Sequence, residues 1–377
     1  MLTEIERLEQ FPSLINTVYL NTAAEGIPSL AVHDALNSYF EDKLTGMDGR
    51  LKHEAQWNAT RQLVAELYGL TKEEIGLCSC TSEAFNHAAA ALGLHDGDEV
   101  IINDLDFPAG TTPWLQENCP AVVKLWKSRD GALRTRDLIP LLSPRTRLVT
   151  TSLVSYYNGY KISLPHLAEA VRQHSPALIA LDVTQALGRI PLHLHEADLI
   201  VSSTHKWILG THGGGLVGVP KHRARHWHVP AGGWFNIENA FGPGRFEQAQ
   251  SHAGAAGFSV GMPNYPAVYA NRAALSYINK VGIENIENVT RPLVEQTLAE
   301  LQQMPVELLT PPHLENIAGI IAFRHPKSDE INNHLHNRNI HIMSHAGRLR
   351  VAIHGYNTQK DIETFLGELH AALNQVS

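Results

Sequence analysis

Apolar residues along the middle of the chain fall in short runs, and between the runs they recur at intervals of three and four. The runs EVIIN (99–103), AVVKLW (121–126), RLVTTSLV (147–154), ALIALD (177–182), DLIVSS (198–203) and GLVGVP (215–220) predict strands. Segments such as LPHLAEAVRQHS (164–175) carry the spacing of amphipathic helices. Runs of this kind alternating with helical segments predict strands laid parallel with helices on both faces. Cys78 and Cys80, two residues apart, are expected on one side of a further short strand.

The pattern changes after about residue 228, where VPAGGWFNIENAFGPGRFEQAQSHAGAAGFSVGMPNYP, rich in Gly, Ala and Pro, predicts an irregular connection. A long helical pattern from Ala267 to about Gln303 follows, and then strand-like IAGIIAFRH (317–325) and RLRVAIH (348–354). The expected organisation is an α/β chain without internal repeats. An N-terminal segment (1–20) packs beside the small domain, a large α/β domain spans 21–255, and 256–377 supplies the connection and a smaller C-terminal α+β domain.

Composition narrows the class. The 377 residues are 44% hydrophobic, enough to bury a large core, and the net charge of −8 with no long basic block lacks the footprint of a nucleic-acid binder. The short KHRAR run (221–225) reads as a solvated loop. No apolar stretch approaches a membrane span, so a cytoplasmic protein without a membrane partner is expected. Three cysteines give neither a disulfide framework nor a structural zinc pattern. Among the 22 histidines, pairs such as His193 with His195 and His334 with His336 lack acidic or cysteine partners at ligand spacing, so no metal site is expected.

The chemistry centres on VSSTHKWILGTHGGG (201–215), where Lys206 stands between small hydroxyl residues and a glycine-rich loop. A P-loop has the opposite order, with the lysine after the glycines and before Ser or Thr, so that motif is excluded. A solvated lysine remains the plain alternative. Asp182 ends the ALIALD strand and Lys206 follows the next one, so both reach the crevice at the carboxyl ends of a parallel sheet. An ion pair would look the same. Thr81 and Ser82 precede an Ala-rich helix, which makes either an ordinary cap or a phosphate seat. Together a phosphate seat, a carboxylate and a lysine are what pyridoxal 5′-phosphate requires.

The run LDVTQALGRIPLHLHEADLIVSSTHKWILGTHGGGLVGV (181–219) resembles the class V aminotransferase family of pyridoxal phosphate enzymes, which includes cysteine desulfurases, kynureninases and isopenicillin N epimerase. VYLNTAAEGIPS (18–29), LDFPAGTTPWLQ (105–116), GGWFN (232–236), FSVGMPNYP (258–266) and LRVAIHGYNTQKDI (349–362) are similar to family segments in family order. The resemblance implies the fold type I architecture and a homodimer with active sites at the subunit interface. It makes Lys206 the Schiff-base lysine and sets Asp182 on the pyridine nitrogen and Gln185 on the ring hydroxyl. Thr81, Ser82, Ser203 and His205 hold the phosphate, and Arg350 pairs with the carboxylate of a small amino-acid substrate.

Four departures bear on the reaction. No cysteine follows Cys119, whereas cysteine desulfurases carry a reactive one before the substrate arginine. Phe107 stands where those enzymes stack a histidine on the cofactor, and Met262 where many relatives have a threonine reaching the neighbouring subunit's phosphate. Tyr156, where desulfurases have an asparagine, is a candidate pocket residue. The expected activity is aminotransferase-like. A Cβ-elimination (C–S) lyase or an epimerase of the same family is the alternative, and a non-catalytic dimeric scaffold is the reading from a different class.

Overall fold

A computed structural model describes residues 4–376, so the first three positions of the 1–20 segment lie outside the described residues. The main sheet has seven strands: β1 (Ile75–Cys78), β2 (Glu99–Asn103), β3 (Val122–Trp126), β4 (Thr146–Ser152), β5 (Leu178–Asp182), β6 (Leu199–Ser203) and β7 (Gly215–Gly218). Their spatial order is β1-β7-β6-β5-β4-β2-β3. All six expected runs form strands. One correction concerns direction, because β7 is antiparallel to both of its neighbours. A second concerns the cysteines: β1 stops at Cys78, and Cys80 instead precedes the helix Thr81–Leu92.

The continuous apolar runs serve two cores. Ile101, Val149, Ile179, Leu181 and Ile200 meet Val64 of the helix Arg50–Tyr68 and Leu167 and Val171 of the helix Leu164–His174. Their sequence neighbours Val100, Ile102, Leu148, Leu178, Leu199 and Val201 point the other way, onto Ala84, Phe85 and Ala88 of the Thr81 helix and onto Trp114 and Trp227. A strand covered on both faces has no polar side to show, so the alternation typical of half-exposed strands is missing.

The second sheet is antiparallel, built from β8 (Glu307–Leu308), β9 (Ile320–Arg324), β10 (Met343–His345) and β11 (Arg348–Ala352) in the order β10-β11-β9-β8. Its Ile321, Phe323, Leu349 and Val351 pack on Leu293, Val294 and Leu298 of the helix Ile283–Leu301 and on Phe365 and Leu369 of the helix Gln359–Val376. Val18–Tyr19 pairs with Ile340–His341, and Leu20 enters the same core. The helical pattern expected over 267–303 is two helices, Tyr265–Val281 and Ile283–Leu301, broken at Gly282 with φ of 85°. The first packs Ala270 and Ala274 against Val32 of the helix Leu30–Leu44. Residues 221–225 are no free loop either, since they lie in a short 3-10 helix whose Arg223 turns inward to within 2.6 Å of Asp198.

Arg189 joins the two sheets. Its side chain is wholly buried; Nε donates to the Ile353 carbonyl at 2.9 Å, Nη2 to that of Ala318 at 3.3 Å, and Nη1 pairs with Glu287. Truncation would leave two buried carbonyls without a donor, open a cavity and take from Glu287 one of its two arginine partners, the other being Arg291. Arg189→Ala should therefore cost about 3–5 kcal/mol, seen as a lower urea midpoint than wild type.

Candidate active site

Antiparallel β6 and β7 are paired with Ser203 opposite Gly215, so residues 204–214 form the connection that leaves the carboxyl end of β6. The Thr204 hydroxyl donates to the Thr211 and Gly214 carbonyls at 2.6 and 3.1 Å and draws this loop together. Trp207, next to the lysine, is buried; its indole N–H donates to Gln185 Oε1 at 2.6 Å, and its carbonyl lies 2.6 Å from His354 Nε2. On the other side the Gly26 N–H donates to the His205 carbonyl at 2.8 Å, and a Cβ at Gly26 would overlap the Lys206 carbonyl oxygen. A Cβ at Gly215 would sit 2.8 Å from the Cys80 carbonyl, so glycine there lets β7 lie against the start of the Thr81 helix. The small residues around Lys206 are thus those where backbone passes close to backbone.

The lysine opens into a cavity lined by Thr81, Phe107, Tyr156, Asp182, Gln185, Ser203, His205 and Lys206, eight of the residues singled out from the sequence. Arg350 borders it, its Nη1 donating to the Tyr156 carbonyl at 2.7 Å. Ser82 is exposed, one residue further along the helix. Met262 does not line this cavity; it faces a neighbouring one with Ser79 and Gly213, and its Sδ lies 3.7 Å from Arg50 Nη2. Two lining residues were missed. Ser152 sits opposite Asp182 in the β4–β5 register, and Thr184 caps the turn after β5 through its N–H to Asp182 Oδ1 at 2.7 Å. The Asp-x-Thr spacing at 182–184 was the available signal for the second.

Burial sets the electrostatics. Asp182 is held above the usual carboxylate range by desolvation, against the pull of Thr184 and Lys206, and among the described residues no ion pair reaches it. Desolvation brings Lys206 down to about 8, with Arg350 pushing the same way and Asp182 opposing. Its Nζ has no hydrogen bond among the described residues and lies 5.2 Å from the Phe107 ring centre. His205 falls to about 4 through desolvation and the adjacent Lys206 and His212. A second carboxyl, Asp106, accepts from Asn103 Nδ2 at 3.2 Å and from the Ser152 hydroxyl, and burial lifts it to about 7. At this site two buried donors have no partner among the described residues, Ser203 Oγ and Arg350 Nε.

His205 also stacks on His212 at 4.3 Å, and His212 Nε2 lies 3.2 Å from Glu25 Oε2. One ligand atom from each of these three residues falls within 4.8 Å of the others, a grouping outside the histidine pairs that the sequence drew attention to.

A lysine on the loop after a parallel strand, facing a buried aspartate one strand away and an arginine from a second sheet, defines the fold type I class of pyridoxal phosphate enzymes. Residues 18–365 match the family described as aminotransferase class-V, and the chain belongs to that family of pyridoxal-phosphate-dependent enzymes. It is 25% identical to an uncharacterized aminotransferase of Bacillus subtilis, with 96% of each chain covered. It is 26% identical to a probable cysteine desulfurase of Pasteurella multocida, covering 94% of this chain and 89% of that one. The apo structure of a cysteine desulfurase from Thermococcus onnurineus NA1 superposes with a TM-score of 0.89 at 22% identity, covering 100% of this chain and 99% of that one.

The depressed Lys206 amine gives a pH prediction. Only the neutral amine attacks an aldehyde, so lowering the ammonium pKa makes it available at lower pH. The rate at which cofactor-free protein captures pyridoxal phosphate should rise with pH about a midpoint near 8. Arg350→Met should move that midpoint upward, as stopped-flow absorbance across pH 6–10 would read.

Proposed function

We propose that the cavity around Lys206 holds pyridoxal 5′-phosphate and acts on a small amino acid, with transamination as the main reaction. The observation that carries this reading is the desolvated, unpaired Lys206 amine in one cavity with the buried Asp182 carboxylate. The other residues fit the cofactor. Ser203 Oγ is a buried donor without a partner, suited to a phosphate oxygen, together with Thr81 at the amino end of its helix and His205. Ser82, in the same first turn, could add its hydroxyl. A buried carboxylate that no cation neutralises suits a protonated ring nitrogen, the role assigned to Asp182. Phe107 and Gln185 would flank the ring, with Tyr156 in the substrate pocket.

When bound, the cofactor supplies an electron-withdrawing ring that takes up electrons released at the substrate α-carbon. The protein supplies position and proton transfer. Arg350, buried and with Nε unpartnered, would hold the substrate carboxylate by a charge-assisted hydrogen bond. The freed Lys206 amine, with its pKa near 8, is matched to removing the α-proton close to neutral pH. Phe107 carries no proton, so it shields and packs.

Borohydride reduction of the yellow holoprotein should fix a pyridoxyl group on Lys206, located by peptide mass spectrometry. An adduct elsewhere, or none at saturating cofactor, would refute the reading. Products decide the reaction: keto acid with aminated cofactor supports transamination, whereas ammonia with loss of a β-substituent moves the assignment to the lyase.

We further infer a cytoplasmic homodimer. Three free thiols without a disulfide suit a reducing compartment, and no helix among the described residues is long and apolar enough to cross a membrane. Phe40, Leu44, Met47 and Leu51 are exposed near the cavity that Met262 shares with Arg50, an apolar surface suited to a second copy of the chain. Light scattering should give twice the 41.6 kDa chain mass, and Leu44→Asp with Leu51→Asp should lower both dimer content and cofactor affinity.

A further inference from the structure

Arg348 and Arg350 stand two apart on β11 with their side chains on the face opposite Leu349 and Val351, which fill the small core. Both are more than nine-tenths buried, at 6% and 4% exposed. Each ties the small sheet to the loop after β4, Arg350 to the Tyr156 carbonyl and Arg348 to that of Tyr157. The Arg348 guanidinium lies 4.3 Å from the Tyr157 ring centre and 5.5 Å from that of Tyr156. The Tyr156 ring in turn lines the Lys206 cavity and meets Phe107 edge-on at 5.1 Å.

What sets the pair apart is the missing counter-charge. Arg189 has Glu287, and Arg324, opposite Arg348 in the β9–β11 register, has Glu307 at 3.6 Å. Neither Arg348 nor Arg350 has a carboxylate within ion-pair distance among the described residues, and Nε and Nη2 of Arg348 make no hydrogen bond there. Two adjacent guanidinium groups without a counter-charge repel one another, so the arrangement favours an anion arriving from outside. One arginine is sufficient for an α-carboxylate. The second, whose guanidinium lies 5.5 Å from the ring centre of the cavity residue Tyr156, leaves a site for another anion beside the first.

We propose that Arg348 is a specificity residue that binds the side-chain anion of an acidic amino-acid substrate while Arg350 holds its α-carboxylate. This rests on the function proposed above and narrows it to substrates with two negative groups. A neutral substrate leaves Arg348 uncompensated and binds more weakly, because the same burial that favours the acid is unrelieved by the amide.

The test uses cofactor-loaded protein and isosteric pairs, L-aspartate against L-asparagine and L-glutamate against L-glutamine, with dissociation constants from cofactor absorbance and from calorimetry. Wild type should favour the acid of at least one pair by about tenfold or more, the worth of one charged hydrogen bond. Arg348→Met should reduce that acid-over-amide ratio to within about twofold, with the loss falling on KM for the acid, and Arg348→Lys should retain part of the preference. No acid preference in wild type would overturn the proposal. So would an Arg348→Met protein that loses affinity for acid and amide equally while melting earlier, because that marks a brace between the sheets. Failure of borohydride to fix cofactor on Lys206 refutes the parent reading, whereas normal fixation with no acid preference refutes this inference alone.

Discussion

Removing an amine and a carboxylate from water disfavours the charged form of each, and the crevice at the carboxyl end of β5 and β6 does both at once. Lys206 and Asp182 oppose each other's shifts, and desolvation outweighs both that attraction and the pull of Glu25 on Lys206. The arrangement persists because the backbone around it has little freedom. The Lys206 loop is held by Thr204 from within, by Gln185 and His354 through Trp207, and by Gly26 through the His205 carbonyl. These contacts are backbone or fully buried, so water cannot readily compete for them. Asp106, next to Phe107 in the chain, adds a second desolvated carboxyl, and the Asp182 charge raises its preference for the neutral form further.

The small sheet meets the cavity wall through guanidinium and amide contacts to the short segment that carries Tyr156. Arg350 and Arg348 reach the carbonyls of Tyr156 and Tyr157, and Asn158 Nδ2 donates to Gly131 and Leu309 at 2.7 and 3.2 Å. Thr310 Oγ1 donates back to the Asn158 carbonyl at 2.6 Å. The fit between the two sheets therefore depends on a few side chains next to the cavity, Arg350, Arg348, Asn158 and Thr310 among them.

Much of this was legible in the sequence, for physical reasons that differ by element. The strands declared themselves because burial on both faces demands unbroken apolar runs, and the crevice followed from where those runs end. The reversed direction of β7 was not legible, because its GLVG run is as apolar as its parallel neighbours and nothing local encodes direction. The break at Gly282 was hidden by apolar periodicity that continues across it, although a glycine inside a helical pattern was the available warning. Among site residues, Lys206 and Asp182 were named by type and position, and Arg350 from resemblance. Ser152 escaped notice because a serine at a strand end has no signature until register sets it opposite Asp182. Met262 was assigned from resemblance alone, and within a single chain its side chain faces the adjoining cavity. Arg348 passed unnoticed because only the structure reveals that it has no carboxylate partner.

The inward position of β7 has a consequence for the order in which the chain acquires its shape. β1 touches the rest of the sheet only through β7, from which it is separated by more than a third of the chain, as in the contact from Cys78 Sγ to the Gly215 carbonyl across 137 positions. The loop-closure entropy for that pairing is not repaid until residues 215–218 are in place, whereas β2 to β6 can pair with one another without β1. The Thr81 helix packs on that parallel block, so β1 is the one strand of the sheet whose place depends wholly on β7.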